Sequence, residues 1–299
     1  MLAALLDTLP SALKAKRIIR RVRQNQLPDY HVAELDNCYI RYREAGKGAH
    51  TLVLAIDPPL TLECYDELLS TLAKDYRVFV FELPGFGYSM MKRGFNFAFD
   101  ATVETLHQLL RHWNAGPYSL AFPCASAYFS IALANRHPEL VSHLAMVQAP
   151  SWKQEQAWKH RLDPHKVLNR PILGQLFIKV KKRMVAKQWV NFASNTESFT
   201  HQATPLIEQQ LHKDGCYCLA SAMQYCLPTK SPTLTTIVQP TTLVFGTEDK
   251  SHKATNFESI RQYSSDISLK GIEGAGHFPE LEAPLQFKRI VDDLHQSSR

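Results

Sequence analysis

No long apolar run occurs in this sequence. Nothing in its 299 residues approaches the roughly 18 consecutive apolar residues of a membrane-crossing helix. The opening MLAALLDTLP is broken by Asp7 and Pro10, too early for the apolar core of a secretory leader. Cysteine is sparse. Six are scattered at positions 38, 64, 124, 216, 218 and 226, which excludes a disulfide scaffold and fits a reducing, cytoplasmic compartment. Cys216 and Cys218 form a C-x-C, but no second ligand pair follows at zinc-finger spacing, so no metal site is expected. The 12 glycines and 17 prolines have no period, which excludes collagen-like and low-complexity chains. Gly85-Phe86-Gly87 is too short for a phosphate loop and lacks the third glycine, so no nucleotide cofactor is expected. No internal repeat is visible.

What is present reads as an ordinary globular composition, 45% apolar and 21% charged, in a length that suits one large domain. The net charge of +6 is uneven. Residues 1–29 carry six bases and two acids, and the remaining 270 carry 28 bases and 26 acids. A nucleic-acid binder would spread basic charge over a recognition face and show a reading motif. None is found, so no nucleic-acid partner is expected. The basic arm, residues 1–29, could make a weak contact with an acidic membrane surface or a protein. A solvated helix is the preferred reading, because bases wrap most of its circumference.

Residues 31–43 alternate around a turn at Asp36-Asn37 and read as a hairpin. TLVLAI (51–56), RVFVFEL (77–83), YSLAF (118–122) and HLAMVQ (143–148) read as strands, the first two as strands buried on both faces. Helical spacing falls between them, at 60–74, 99–113 and 125–136. This alternation implies parallel βαβ units and a mostly parallel sheet flanked by helices. Residues 151–236 then turn helix-rich and hold Trp152, Trp158 and Trp189. Alternation resumes with TTLVF (241–245), a helix near 256–263, a short strand at 267–269 and a helix at 284–295. The expected organisation is a core of residues 30–150 and 237–299 with a helical cap, 151–236, over the strand ends, where such sheets bind ligands.

Three positions stand at strand ends. Cys124 follows YSLAF, Asp249 follows TTLVF, and His277 follows the last short strand. Nucleophile, acid, histidine is the chain order of the α/β-hydrolase triad. With LPGFGYS (83–89), RHPE (136–139), Gly276-His277-Phe278-Pro279 and Glu282-Ala283-Pro284, the sequence resembles the α/β-hydrolase superfamily from about His31 to Leu294. In particular it resembles the cap-bearing branch with epoxide hydrolases, haloalkane dehalogenases and carbon–carbon bond hydrolases. The family's G-x-S-x-G is replaced by Phe122-Pro123-Cys124-Ala125-Ser126. The resemblance puts Cys124, twelve residues before Arg136, at the nucleophile position rather than Ser126.

That resemblance implies an acyltransferase or hydrolase acting through a thioester on a small, mainly hydrophobic ester, thioester or lactone. His277 would be the base and Asp249 its orienting acid. A helix N-terminus and an adjacent histidine should lower the thiol pKa. One oxyanion donor would be the Ala125 N–H. The other should come from the Asp57-Pro58 loop, yet Pro58 has no N–H and Asp57 brings negative charge. A cap side chain or Ser126 would have to replace it. Phe122 stands where the family has glycine. The alternatives are a lyase, cyclase or isomerase with His277 as general base, or a binding protein without chemistry. His252 reads as a surface residue and Glu82 as structural. Epoxide hydrolase and dehalogenase chemistry needs a carboxylate at the elbow and is set aside.

Overall fold

Apolar runs at regular intervals fold into one sheet. The computed structural model describes residues 2–24, 30–213 and 215–296. Helix α1 (Leu2–Arg23) comes first, followed by β1 (His31–Glu34), β2 (Cys38–Ala45), β3 (Thr51–Ala55), α2 (Asp66–Leu72) and β4 (Arg77–Phe81). Two short strands, β5 (Phe86–Gly87) and β6 (Met90–Met91), precede α3 (Phe99–Trp113), β7 (Tyr118–Ala121), α4 (Ala127–Arg136) and β8 (Val141–Val147). The main sheet runs β1-β2-β4-β3-β7-β8-β10-β11, with β6 paired to β2. From β4 to β11 its strands are parallel, while β1, β2 and β6 pair antiparallel. All five residues of β3 are buried, as a strand covered on both faces requires.

The helical insert between β8 and β10 contains α5 (Trp152–Leu162), α6 (Leu173–Ala193), α7 (Glu197–His212), β9 (Cys216–Tyr217) and α8 (Leu219–Ser221). The short β9 pairs with β5, clamping the insert to the loop after β4. The chain returns through β10 (Thr241–Gly246), β11 (Ser268–Ile272), α9 (Pro279–Glu282) and α10 (Pro284–Gln296).

Three expected helices differ at their ends. The 60–74 segment opens as a 3₁₀ turn at Leu62–Tyr65, the 125–136 segment opens as one at Cys124–Ser126, and the helix near 256–263 is 3₁₀ throughout, Phe257–Gln262 capped by Asn256. The basic arm departs further from expectation. Met1 and residues 25–29 lie outside the described residues, as do the side chains of Lys16 and Arg23. Helix α1 is not free in solvent. Ala3, Ala4, Thr8 and Ile19 are buried, and the Ser221 hydroxyl donates to Asp7 Oδ2 at 2.6 Å. These four residues give α1 an inward face that its bases obscure in the sequence. No helix among the described residues is long and apolar enough to cross a membrane.

Candidate active site

Each candidate side chain is set by the turn that follows its strand. Pro123 bridges to Val147 and extends the sheet edge by one step. Cys124 then turns the chain at φ +50° into the 3₁₀ turn that starts α4. A side-chain-bearing residue in the left-handed region costs about 1–3 kcal/mol. Asp249 follows β10 and caps the turn Lys250–His252, its Oδ1 accepting from Ser251 N at 2.8 Å and His252 N at 3.3 Å. His277 is held by its own backbone, whose N–H donates to Ala193 O of α6 at 2.8 Å. The preceding residue must be glycine here, since a Cβ on Gly276 would lie 2.4 Å from Ala193 O.

The structure brings Cys124, His277, Asp249 and Asp57 together. His277 Nδ1 and Asp249 Oδ2 are 2.7 Å apart, which assigns the Nδ1 proton to that bond and points Nε2 away from it. Asp57 Oδ2 is 3.1 Å from Nε2, though at an angle that makes no hydrogen bond. One donor atom each from Asp57, Cys124 and His277 lie within 4.8 Å of one another. All three residues are buried. Burial works against charge on His277, but Asp249, Asp57 and Cys124 outweigh it and raise the imidazole well above its ordinary value. The imidazolium in turn overrides burial and holds Asp249 far below the usual carboxylate range.

The thiol behaves opposite to the sequence expectation. Burial, then the charges of Asp57 and Glu155, raise Cys124 above an ordinary thiol, and His277 offsets only part of this. The imidazolium already faces a carboxylate, so the neighbour that should stabilise a thiolate is matched by one that opposes it. His252 also corrects its expectation. It is 3% exposed, its Nδ1 is 2.8 Å from Asp249 Oδ2, and its ring stacks on Trp158. Burial lowers it to about 4, so it stays neutral beside the charged His277.

The remaining expected positions divide. Ala125, Asp57, Pro58 and Ser126 line the cavity beside Cys124. Phe122 does not. It is core, its ring centroid 5.5 Å from that of Phe81. Ser126 cannot readily serve as the missing oxyanion donor, because its hydroxyl donates to Pro123 O. The Asp57 N–H is also engaged, donating to the Tyr65 hydroxyl at 3.2 Å.

Sequence reasoning missed the groups behind these. Gln148, at φ +52°, donates to Asp249 Oδ2 at 2.9 Å and to Gly276 O at 3.1 Å. The Trp158 indole donates to Ser251 Oγ, which donates to Asp249 Oδ1. Two glutamates, Glu155 and Glu280, are buried and pushed up by burial to about 8. Glu155 carried a signal, since it falls on the inward stripe of α5 with Trp152 and Lys159.

The cavity has a volume of about 360 Å³. Its floor is the strand-end loops with Asp57 and Cys124, and its roof is the insert, through Trp158, Trp189, Phe192 and Met223. Of the expected cap aromatics, Trp152 instead packs against Tyr128 in the core. Among the described residues, Asp57 is the one charged residue lining it. Asp57, Cys124 and His277 form one cluster of potential metal ligands, and Asp249, His252 and His277 another. His277 belongs to both. A third cluster, Glu104, His107 and His137, is at the surface, with its two rings stacked 3.7 Å apart.

A family profile described as alpha/beta hydrolase fold matches residues 59–175. Epoxide hydrolase A of Mycobacterium thermoresistibile superposes with a TM-score of 0.73 at 14% identity, over 89% of this chain and 97% of that one. Cfl2 of Burkholderia cenocepacia gives 0.70 at 17% identity, over 88% and 94%. The chain has the α/β-hydrolase fold. Within it, Cys124 occupies the strand-to-helix elbow. An uncharacterized hydrolase of Saccharomyces cerevisiae, YNR064C, is 30% identical over 88 residues, 29% of this chain and 30% of that protein. The match therefore spans under a third of the curated relative.

Proposed function

We propose that this protein is an enzyme that transforms a small, mainly apolar molecule by proton transfer between Asp57 and His277. The observation that carries this reading is the Asp57 carboxylate 3.1 Å from His277 Nε2 at the floor of the cavity. That nitrogen is the one a triad nucleophile would use. At rest, the site is a carboxylate–imidazolium pair over a protonated thiol. His277 gives its Nε2 proton to the substrate oxygen where negative charge develops. Asp57 takes a proton from substrate carbon or from an attacking water. Return of that proton to Nε2 restores the pair. Asp249 holds the ring orientation and stays ionised. Direct hydrolysis, elimination and isomerisation all use this couple, and the apolar walls strengthen its electrostatics by excluding water.

A second reading keeps Cys124 as nucleophile of a Cys124–His277–Asp249 triad that hydrolyses or transfers acyl groups of an ester, thioester or lactone. The φ of +50° at Cys124 favours it, since that strain presents a side chain at the elbow tip. Alkylation by iodoacetamide, mapped by peptide mass, separates the two readings. Under the acid–base reading, Cys124 of the folded protein reacts only at alkaline pH. Asp57→Asn removes the opposing carboxylate, frees the imidazolium for sulfur and accelerates alkylation at pH 7 about tenfold or more, one pKa unit being tenfold. Cys124→Ala then keeps most turnover, and His277→Ala loses it. Fast alkylation of wild type at pH 7, with an acyl adduct from p-nitrophenyl butyrate, would reverse the assignment.

A further inference from the structure

The net positive charge of this protein resides in two helices in contact. Helices α1 and α6 together hold eleven of the 34 Lys and Arg residues and one of the 28 acids. The rest of the chain has 23 bases against 27 acids and is net negative. Helix α6 has no acid at all and carries Lys179, Lys181, Lys182, Arg183 and Lys187.

The same helix exposes apolar side chains in register. Leu173, Leu176, Val180 and Met184 follow the i, i+3, i+7, i+11 spacing of a single helix stripe. Each is exposed, Val180 by 76%. Lys179 and Arg183 fall on one side of that stripe and Lys181 on the other. Leu5 and Leu9, one turn apart on α1, are exposed as well. On the other flank of α6, Val185, Gln188, Trp189 and Phe192 line the cavity. Phe192 is 46% exposed while lining it, so the cavity reaches the surface beside this helix.

We infer that α6, with α1, is a docking face for an anionic lipid surface, and that the cavity mouth beside it takes its apolar substrate from that surface. An exposed apolar stripe flanked by bases is the pattern of a helix lying in the membrane interface. Lipid acyl chains would cover Leu173, Leu176, Val180 and Met184, and anionic headgroups would meet the flanking Lys and Arg. Charge complementarity selects this occupant over a second copy of the chain. Two like-charged α1–α6 faces would repel each other. The inference concerns where the protein sits and does not depend on which residue reacts.

The test is co-sedimentation of the full chain with large vesicles of phosphatidylcholine alone or mixed with phosphatidylserine. The wild type should sediment with the mixed vesicles at low salt, remain in solution with phosphatidylcholine alone, and be released at about 1 M salt, where screening shrinks to about 3 Å. Leu176→Asp with Val180→Asp should weaken binding about tenfold or more, as should Lys181→Glu with Arg183→Glu. All four positions are exposed, so each variant should keep the wild-type circular dichroism melt. Wild type left in the supernatant with anionic vesicles overturns the inference, as does binding undiminished by either pair. Lipid-free association that the Leu176/Val180 variant abolishes, seen by sedimentation velocity, would also overturn it and make a second copy the occupant.

Discussion

Arg41 is a cation sealed in the core, 1% exposed. Its guanidinium reaches both oxygens of Glu63 at 3.0 and 3.3 Å, donates to Glu82, and lies between the rings of Tyr30 and Tyr88. Glu82 also accepts from Tyr88 N at 2.7 Å and from Gln210 Nε2 at 3.1 Å. The strand-end glutamate is thus a tie between sheet and insert, in keeping with its structural reading. Removing one member of a buried pair leaves an uncompensated charge, which costs about 3–5 kcal/mol. Arg41→Ala should therefore lower unfolding stability in urea by that amount. The same logic explains what sequence showed of the candidate site. Cys124, Asp249 and His277 stood out because each ends a strand in a set order. His252 did not. A histidine in a polar loop reads as solvated, and it is Trp158 of α5, 94 residues earlier in the chain, that buries it. Asp57 was legible near the reacting centre, but its position opposite Nε2 depends on how two loops approach, and no local pattern encodes that.

At the scale of elements, hydrophobic periodicity was a good guide to strands and a weaker one to helix ends. Each expected core strand forms within a residue or two, except the last, β11, which runs three residues past its expected end at 269. The 3₁₀ openings of the 60–74 and 125–136 segments arise where sheet-edge residues must be placed before a regular helix can begin. The docking of α1 was hidden because most of its contacts are with elements far along the chain, β6, α6 and α8. That docking is pH-dependent. Burial raises Asp7 to about 6 from 3.8, so the docked helix binds this proton more tightly than the undocked one. Its contribution is full below about pH 4, falls as pH rises towards 6, and is flat above. Hydrogen-exchange protection of α1 should be higher at pH 4.5 than at pH 7 in wild type. Asp7→Asn should remove the difference and keep α1 protected at both pH values.

At the scale of the whole molecule, two more raised carboxyls add to this trend. Glu155 and Glu280 rest at about 8 rather than 4.5 because of burial, and Oε1 of the first and Oε2 of the second have no hydrogen-bond partner. Their protons are held more tightly in the folded state. Stability should fall as pH rises from about 4.5 to 8. Glu155→Gln and Glu280→Gln should each flatten that decline, by about 2–4 kcal/mol between pH 5 and 8. Thermal melts across that range would read it directly, and parallel curves for wild type and both variants would refute it. The fold itself, a sheet with a helical insert late in the chain, was visible because alternation stopped at 151 and resumed at 241.

Helix α6 is both roof of the cavity and anchor of the His277 loop, through the bond to Ala193 O and the contact that excludes any side chain at Gly276. A rigid upward swing of this helix would pull on the His277 imidazole. Molecular traffic is better served by the side chains at the mouth, Phe192 and Gln188. Rotamer changes of exposed residues take picoseconds to nanoseconds, against microseconds to milliseconds for domain opening. Under the proposed function, an entrance gated by side chains would leave turnover to be limited by chemistry or by escape of an apolar product, rather than by movement of a lid.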